Sequence, residues 1–335
     1  MGDSNLRPPY SAGVQHDLTA QLTRIPAAST GDNKAETGRR TNIASGTGIG
    51  GRSKVVYADA ETRLRNQSGR HPMSNPSTII TNQAKTLLKS KKPVLVFNVF
   101  ETLRPSVIKI VKQTGYDMLM IETEHVLHDE YTLTNFIISA RDNGLSPIIT
   151  VPSTDRMLVS RLLDAGALGI NLCHAETPEQ VDDMVRWMKY PPIGERALFM
   201  GANVDYQNAD AEQYCREANQ ATMLVLKIES RKGVENAEQL IANEHVDGVV
   251  FGPGDLAASM GFHGGWQHPE VLSAMESVIE IALANGVAVE PAEFPSNKTE
   301  YERQKERGIQ LFGPTRETEY QLLRSAAERA LDAYR

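Results

Sequence analysis

The sequence has little cysteine, no long apolar run and no excess of positive charge, and each shortage argues against a class of protein. Two cysteines, Cys173 and Cys215, form neither a disulfide framework nor a zinc-binding spacing, which favours a reducing compartment and a cytoplasmic location. No apolar run approaches the roughly 20 residues that span a bilayer. A net charge of −7 argues against binding to nucleic acid or to an acidic membrane, because both attract a basic face.

The first 75 residues differ in composition from the remainder. They are rich in Gly, Ser, Thr, Asn and Arg, and they show no sustained hydrophobic period. Such a segment buries too little apolar area to offset the entropy lost on ordering. The opening MGDSNLRPPYS also has no apolar core of a secretory signal. We therefore predict a disordered extension over residues 1–75 and one folded domain over residues 76–335.

Short apolar runs alternate with amphipathic segments throughout the predicted domain. Runs rich in Val, Ile and Leu predict parallel strands buried on both faces, and the intervening 3.6-residue periods predict helices. We predict strands at 93–99, 117–122, 147–152, 167–172, 221–229, 245–252, 287–291 and 309–314. A helix is predicted after each strand, with one longer connection near residues 190–220.

Eight such strand–helix units favour one fold class over its main competitor. Strands alternating with helices build a parallel sheet, and eight units in about 250 residues match a closed (β/α)8 TIM barrel. The alternative is an open, doubly wound sheet of the dinucleotide-binding kind. The sequence argues against it, since no predicted strand is followed by GxGxxG.

Active sites of such barrels lie at the carboxyl ends of the strands, where this sequence places several acidic residues. Glu229 and Asp255 follow neighbouring strands, which lie about 4.8 Å apart in a sheet. Two carboxylates so close would repel each other unless a cation lay between them. A divalent cation with a preference for oxygen ligands, Mg²⁺ or Mn²⁺, is one interpretation. A solvated acidic rim, or a salt bridge between Glu229 and Lys227, is the other.

Three further residues are candidates for roles at or near this end of the barrel. His125 follows the second strand near carboxylates and is a candidate general base, although a lone histidine is often structural. Lys227 lies two residues before Glu229, so its side chain is predicted to share a face with that carboxylate. Asp164, in LLDAGA, is either a partner of a site residue or a polar group that ends a helix.

Five segments together resemble one protein family. They are IETEH (121–125), LLDAGALGI (162–170), YPPIGERA (190–197), LKIESRKGVEN (226–236) and VDGVVFGPGDLAASMG (246–261). In this order and spacing they look like the HpcH/HpaI aldolase family, whose members are metal-dependent class II aldolases acting on pyruvate or other 2-oxo acids. The resemblance runs from about residue 93 to the end of the chain.

The resemblance implies a role for most of the candidate residues. It implies a barrel, usually assembled as a hexamer, and a divalent cation, Mg²⁺ or alternatively Mn²⁺ or Co²⁺. The metal ligands fall on Glu229 and Asp255, and the histidine base falls on His125. The remaining roles are implied for Glu122 and Asp164 as partners of the base, and for the backbone of Gly252, Pro253 and Gly254 as a cradle for the substrate carboxylate.

Three positions depart from the family pattern. Thr150 stands where the family carries an arginine that contacts the 2-oxo oxygen, Lys227 where it usually has glutamine, and Cys173 where proline is common. We hypothesise that Lys227 restores the charge lost at Thr150, as a point charge without the guanidinium fork. The alternatives are that Lys227 forms a Schiff base, or that it only neutralises Glu229.

These expectations define a function and its competitors. The leading one is a metal-dependent carbon–carbon lyase or aldolase that takes a small 2-oxo acid and an aldehyde or other acceptor. The alternative is a family barrel that has lost catalysis and acts as a binding or scaffold protein. A phosphate-binding barrel enzyme, using amides of the last-strand loop FGPTRET, has less support.

Overall fold

A computed structural model describes residues 78–313 and 318–335 of the chain. The extension predicted over residues 1–75 lies outside the described residues, as do Pro314, Thr315 and Arg316 of the last-strand loop. The strands are β1 (Val94–Val99), β2 (Met118–Glu122), β3 (Ser146–Val151), β4 (Gly169–Leu172), β5 (Met223–Ile228), β6 (Val246–Phe251), β7 (Ala288–Val289) and β8 (Leu311–Phe312).

Helices separate the strands along the described chain. They are α1 (Gln83–Lys89), α2 (Pro105–Gln113), α3 (Glu130–Asp142), α4 (Arg156–Asp164), α5 (Pro178–Met188), α6 (Ala211–Ala221), α7 (Arg231–Glu235), α8 (Ala237–Ile241), α9 (Pro253–Ser259), α10 (Pro269–Ala284), α11 (Lys298–Arg307) and α12 (Glu319–Leu331), with 3₁₀ turns at Ala202–Val204 and Asp332–Tyr334.

The eight strands form one parallel sheet that curls into a nearly closed barrel. The strand order is β7-β6-β5-β4-β3-β2-β1-β8, so β1 pairs with both β2 and β8. Between the two outer strands, the Gln310 N–H donates to the Val289 carbonyl at 3.3 Å. The TIM-barrel prediction is therefore confirmed, and the open-sheet alternative is wrong.

Alternation along each strand divides the apolar side chains into two cores. Inward residues such as Val96, Met120, Ile148 and Val225 fill the barrel interior, and outward residues pack against the surrounding helices. Helix α1, which was not predicted, contributes Ala84 to the interior core. Helix α1 thus helps to close one end of the barrel. The other end, where the strands finish, is left open for a cavity.

Local sequence signals explain where the helices begin. Asp155 accepts a hydrogen bond from the Leu158 N–H and caps α4. Thr177 and Gln180 form a capping box at the start of α5, with Pro178 in its first turn. The hydrophobic pattern did not reveal the break at Asn236. The single helix predicted there is two short helices, α7 and α8.

The connection near residues 190–220 contains a helix that the sequence did not predict. Helix α6 presents only Tyr214, Ala218 and Ala221 to the interior core, so its helical spacing is carried by three residues in an otherwise polar sequence. A third helix that was not predicted, α9, begins directly after β6, and Asp255 lies in its first turn. Within the described residues, no helix combines the length and the apolar character needed to span a membrane.

Candidate active site

A cavity of about 300 Å³ opens at the carboxyl ends of the strands. Its wall brings together most of the predicted site residues, namely Glu122, His125, Thr150, Lys227, Gly252, Pro253, Gly254 and Asp255. Other parts of the wall were not predicted, and these include Asn98, Phe100, Asn171, Glu290 and Phe294. The cavity therefore lies at the end of the barrel that the sequence indicated.

Strand β5 places a lysine and a glutamate side by side at this end. Met223 and Val225 point into the barrel core, and Lys227, two residues further on, reaches the cavity. Its ammonium lies 3.0 Å from Oε2 of Glu229, which follows the last strand residue. The predicted shared face, and the salt bridge weighed as an alternative, are both present.

The Glu229 carboxylate is buried and has two different oxygens. Oε1 accepts a hydrogen bond from the backbone N–H of His174 at 2.7 Å. Oε2 pairs with the Lys227 ammonium at 3.0 Å and has no other partner among the described residues. Burial raises the pKa of Glu229, and the Lys227 charge opposes that rise. A carboxylate oxygen whose one partner is a cationic side chain can bind a metal cation in its place.

Gly252 allows Glu229 to lie where it does. A Cβ atom at position 252 would fall 2.1 Å from Glu229 Oε2 and 2.8 Å from Glu229 Cβ. Only a glycine therefore leaves room for the carboxylate. Oε2 consequently faces the segment that opens α9, on which Asp255 lines the same cavity.

Glu124 is the central acidic residue of the site, and sequence reasoning assigned it no role. Its Oε2 lies 3.2 Å from Lys227 Nζ and 3.6 Å from His125 Nε2, and its Oε1 lies 3.8 Å from His174 Nε2. Partial burial favours the neutral acid, but a hydrogen bond with the Cys173 thiol and the Lys227 charge outweigh it and lower the pKa of Glu124.

The two carboxylates determine the ionisation of Lys227. Burial disfavours the ammonium, but the charges of Glu229 and Glu124 outweigh it and hold the pKa of Lys227 well above its ordinary value. Burial also raises the pKa of the neighbouring Cys173 thiol. Near neutral pH this corner therefore holds a charged lysine and a protonated thiol.

The turn after β2 positions His125. Glu122 Oε1 accepts hydrogen bonds from the N–H groups of Glu124, at 2.5 Å, and His125, at 3.1 Å. The His128 ring contacts the Glu122 carbonyl at 2.9 Å. Glu122 thus holds the backbone of the turn, whereas the carboxylate that contacts the His125 ring is that of Glu124.

Strands β3 and β4 supply neutral polar groups to the cavity. Thr150 lies level with Glu122 on one side and Asn171 on the other, so its side chain faces the cavity. The Asn171 amide donates to Thr150 Oγ1 at 3.1 Å, and its own Oδ1 has no hydrogen-bond partner in the described part of the chain. Thr150 stands where the family resemblance implies an arginine. The cavity therefore has a hydroxyl and the neighbouring Asn171 amide there, in place of a guanidinium.

Two predicted site residues are not in the cavity wall. Glu229 lies against two residues that are, Lys227 and Gly252, whereas Asp164 lies apart from the cavity. It is the last residue of α4, which runs antiparallel to the strands, so it lies towards their amino-terminal ends. Its carboxylate accepts a hydrogen bond from the buried Arg196 guanidinium at 2.8 Å. Burial raises the pKa of Asp164 despite that partner. A role for Asp164 beside His125 stays a prediction.

Comparisons with known proteins agree with this fold and site. The family model HpcH/HpaI aldolase/citrate lyase matches residues 99–311. A 5-keto-4-deoxy-D-glucarate aldolase from Escherichia coli O139:H28 is 30% identical over 182 residues, which cover 54% of this chain and 71% of that protein.

Solved structures extend the similarity to the barrel as a whole. An HpcH/HpaI aldolase from Desulfitobacterium hafniense DCB-2 superposes with a TM-score of 0.68 at 27% identity, covering 75% of this chain and 95% of that one. Macrophomate synthase superposes with a TM-score of 0.64 at 25% identity, covering 83% and 97%.

Fold, cavity and sequence therefore define a barrel enzyme of the aldolase/lyase class. The chain belongs to the HpcH/HpaI aldolase/citrate lyase family.

Proposed function

We propose that this protein makes or breaks a carbon–carbon bond of a 2-oxo acid through an enolate. The observation that carries the proposal is the Glu229 carboxylate, which is buried against the cavity-lining residues Lys227 and Gly252 and has the lysine ammonium 3.0 Å from its Oε2. Enolate chemistry requires fixed positive charge where the 2-oxo oxygen becomes negative. Lys227 supplies such a positive charge to the cavity, at the carboxyl ends of the strands.

The names of the relatives support the same substrate class. The Escherichia coli relative is named for 5-keto-4-deoxy-D-glucarate. Glucarate is a six-carbon diacid, so a keto group at carbon 5 is adjacent to a carboxylate, which makes that compound a 2-oxo acid. We infer a 2-oxo acid such as pyruvate or oxaloacetate as the substrate here, with an aldehyde or another electrophile as the acceptor.

Glu229 and Asp255 are the residues that would hold a divalent cation. The fit rests on the orientation of Glu229, because the His174 amide occupies Oε1 and leaves Oε2 facing the segment that carries Asp255. Two carboxylates suit Mg²⁺, Mn²⁺ or Co²⁺ in a site that is completed by water and substrate oxygens. Such a cation polarises a carbonyl as a Lewis acid.

Lys227 supplies a second positive charge from this chain itself. It takes the place of the family arginine, since Thr150 offers only a hydroxyl at that position. Its raised pKa keeps it protonated, and a protonated amine is a poor nucleophile, so we favour an electrostatic role over a Schiff base. The backbone at Gly252, Pro253 and Gly254 lines the cavity where the substrate carboxylate would bind.

His125 is the candidate for proton transfer. Its ring lines the cavity and is more than half exposed, so substrate or water can reach it. Glu124 lies 3.6 Å from Nε2, and Glu122 fixes the backbone beneath the ring. This arrangement can take a proton from an acceptor hydroxyl in the cleavage direction and return it in synthesis.

Decarboxylation of oxaloacetate tests the proposal without knowledge of the acceptor. We expect turnover that is lost on treatment with EDTA and restored by Mg²⁺, Mn²⁺ or Co²⁺, as measured by release of pyruvate. Metal-only reactions without protein are the control, because such ions decarboxylate oxaloacetate slowly by themselves. Folded protein without turnover of any 2-oxo acid, with every metal tried, would contradict the proposal and favour the scaffold alternative.

We also propose that the protein is a homo-oligomer, a hexamer by family resemblance. Helix α12 buries none of its own residues against the described part of the chain, and it exposes Tyr320 and Leu323. Its start is held near the cavity, because the Glu319 carboxylate accepts hydrogen bonds from the N–H groups of residues 100–102. A helix with an exposed apolar face is suited to packing on another copy.

A substitution in α12 tests assembly. We expect Leu323→Asp to lower the mass measured by light scattering after size exclusion, because a carboxylate would be buried without a partner. The matched control is Arg324→Asp, which places the same group on the next residue. A monomeric wild-type protein, or equal masses for both variants, would contradict the assignment.

A further inference from the structure

Lys227 occupies the centre of a group of metal-ligand side chains. Ligand atoms of Glu124, Cys173 and Glu229 all lie within 4.8 Å of one another, the one such group found among the described residues. The Lys227 ammonium lies 3.0 Å from Glu229 Oε2, 3.2 Å from Glu124 Oε2 and 3.9 Å from Cys173 Sγ. A cation of the chain itself therefore fills the space where these donors converge.

The two carboxylates around Lys227 differ in what else they can bind. Glu229 Oε2 faces the Asp255 segment and pairs with Lys227, so a divalent cation bound there would compete with the ammonium for this oxygen. Glu124 does not share that position, because its oxygens lie towards Lys227, His125 and His174. If Glu229 binds a metal through Oε2, Lys227 and the metal repel each other across one oxygen.

We propose that Glu124 is the alternative partner that holds the Lys227 ammonium when Glu229 takes a divalent cation. The inference rests on the proposed function. It assigns Glu124 as a positioning residue, acting through Lys227 and not through contact with the metal. Pairing with Glu124 keeps the ammonium at the cavity wall, close to where the 2-oxo oxygen binds. Glu124 then determines both the affinity for metal and the placement of the second positive charge.

This arrangement predicts changes of opposite sign at two neighbouring residues. Lys227→Gln removes the repelling charge and keeps a polar side chain of similar length, so metal should bind more tightly, by about tenfold or more. Glu124→Gln removes the alternative partner, so Lys227 stays on Glu229 and metal should bind more weakly, by about fivefold or more. If Glu124 ligated the metal directly, its substitution would weaken metal binding whether or not Lys227 is present.

The experiment is a double-mutant cycle of Mn²⁺ affinity. The dissociation constant is measured from the EPR signal of free Mn²⁺, at one pH, for the full-length wild type, the two single variants and the double variant. We expect the Glu124→Gln effect to disappear in the Lys227→Gln background, because Glu124 acts only through the lysine. Glu229→Gln, which should not bind Mn²⁺, controls for the site.

Three outcomes would overturn the inference, and they are distinguishable. Equal affinities of wild type and Lys227→Gln would show that the ammonium does not compete with the metal. Weakening by Glu124→Gln that persists in the double variant would make Glu124 a ligand of the metal. Absence of Mn²⁺ binding in every folded variant would overturn the metal site of the proposed function itself, and this inference with it.

Discussion

Glu229→Gln is expected to reduce turnover by on the order of 10²–10³-fold, with the fold retained. The substituted amide keeps the size of the side chain, and its oxygen can still accept the His174 N–H. The substitution removes the negative charge that pairs with Lys227 and that we propose binds a divalent cation. Loss of one preorganised charge at a developing enolate costs several kcal/mol of transition-state stabilisation.

The measurement is kcat/KM for oxaloacetate decarboxylation, beside a circular dichroism spectrum to check folding. Glu293→Gln is the matched control, since Glu293 is an exposed carboxylate near the same end of the barrel. We expect the control to keep the wild-type rate. A Glu229→Gln protein that retained activity within about fivefold would show that this carboxylate is not required for the reaction.

Gly252→Ala is expected to inactivate the enzyme almost as fully, although it adds only a methyl group away from the reacting atoms. The new Cβ would lie 2.1 Å from Glu229 Oε2, so the carboxylate must leave its position. Backbone strain is not the cause, because φ at Gly252 is −102°. Overpacking of this kind also costs about 1–3 kcal/mol of stability.

Gly254→Ala provides the comparison, because a Cβ at that position meets no atom within 4 Å. Activity and the thermal midpoint are measured for both variants. Because both glycines belong to the proposed carboxylate cradle, we expect both variants to lose some activity, but Gly252→Ala to lose much more than Gly254→Ala and to have the lower midpoint. Similar activity of the two proteins would contradict the position assigned to Glu229.

The barrel was predictable because its strands carry a strong signal. Strands β2 to β6 are rich in Val, Ile, Leu or Met and almost wholly buried, and the chain repeats the strand–helix unit eight times. Helix α6 was missed because a polar sequence, AEQYCREANQA, buries only three of its residues. Helix α9 was missed because Gly252 and Pro253 read as a loop, although proline is favoured in a first helical turn.

The site was predictable only where strand geometry fixes the side chains. Alternation along β5 predicted that Lys227 and Glu229 share a face, and they pair at 3.0 Å. Glu124 lies in the turn after β2, where no period fixes the side-chain direction, so its contacts with Lys227 and His125 could not be read from spacing. The partner of Asp164, Arg196, is 32 residues away and needed the fold.

The most direct test of the account is whether the protein forms the enolate of a 2-oxo acid. Pyruvate is incubated with protein in D₂O, with Mg²⁺, Mn²⁺ or Co²⁺ or with EDTA, and deuterium in its methyl group is measured by mass spectrometry. We predict metal-dependent exchange well above the protein-free rate, absent with EDTA and in Glu229→Gln. Exchange no faster than the protein-free rate with any of the three metals, in correctly folded protein, would contradict the account.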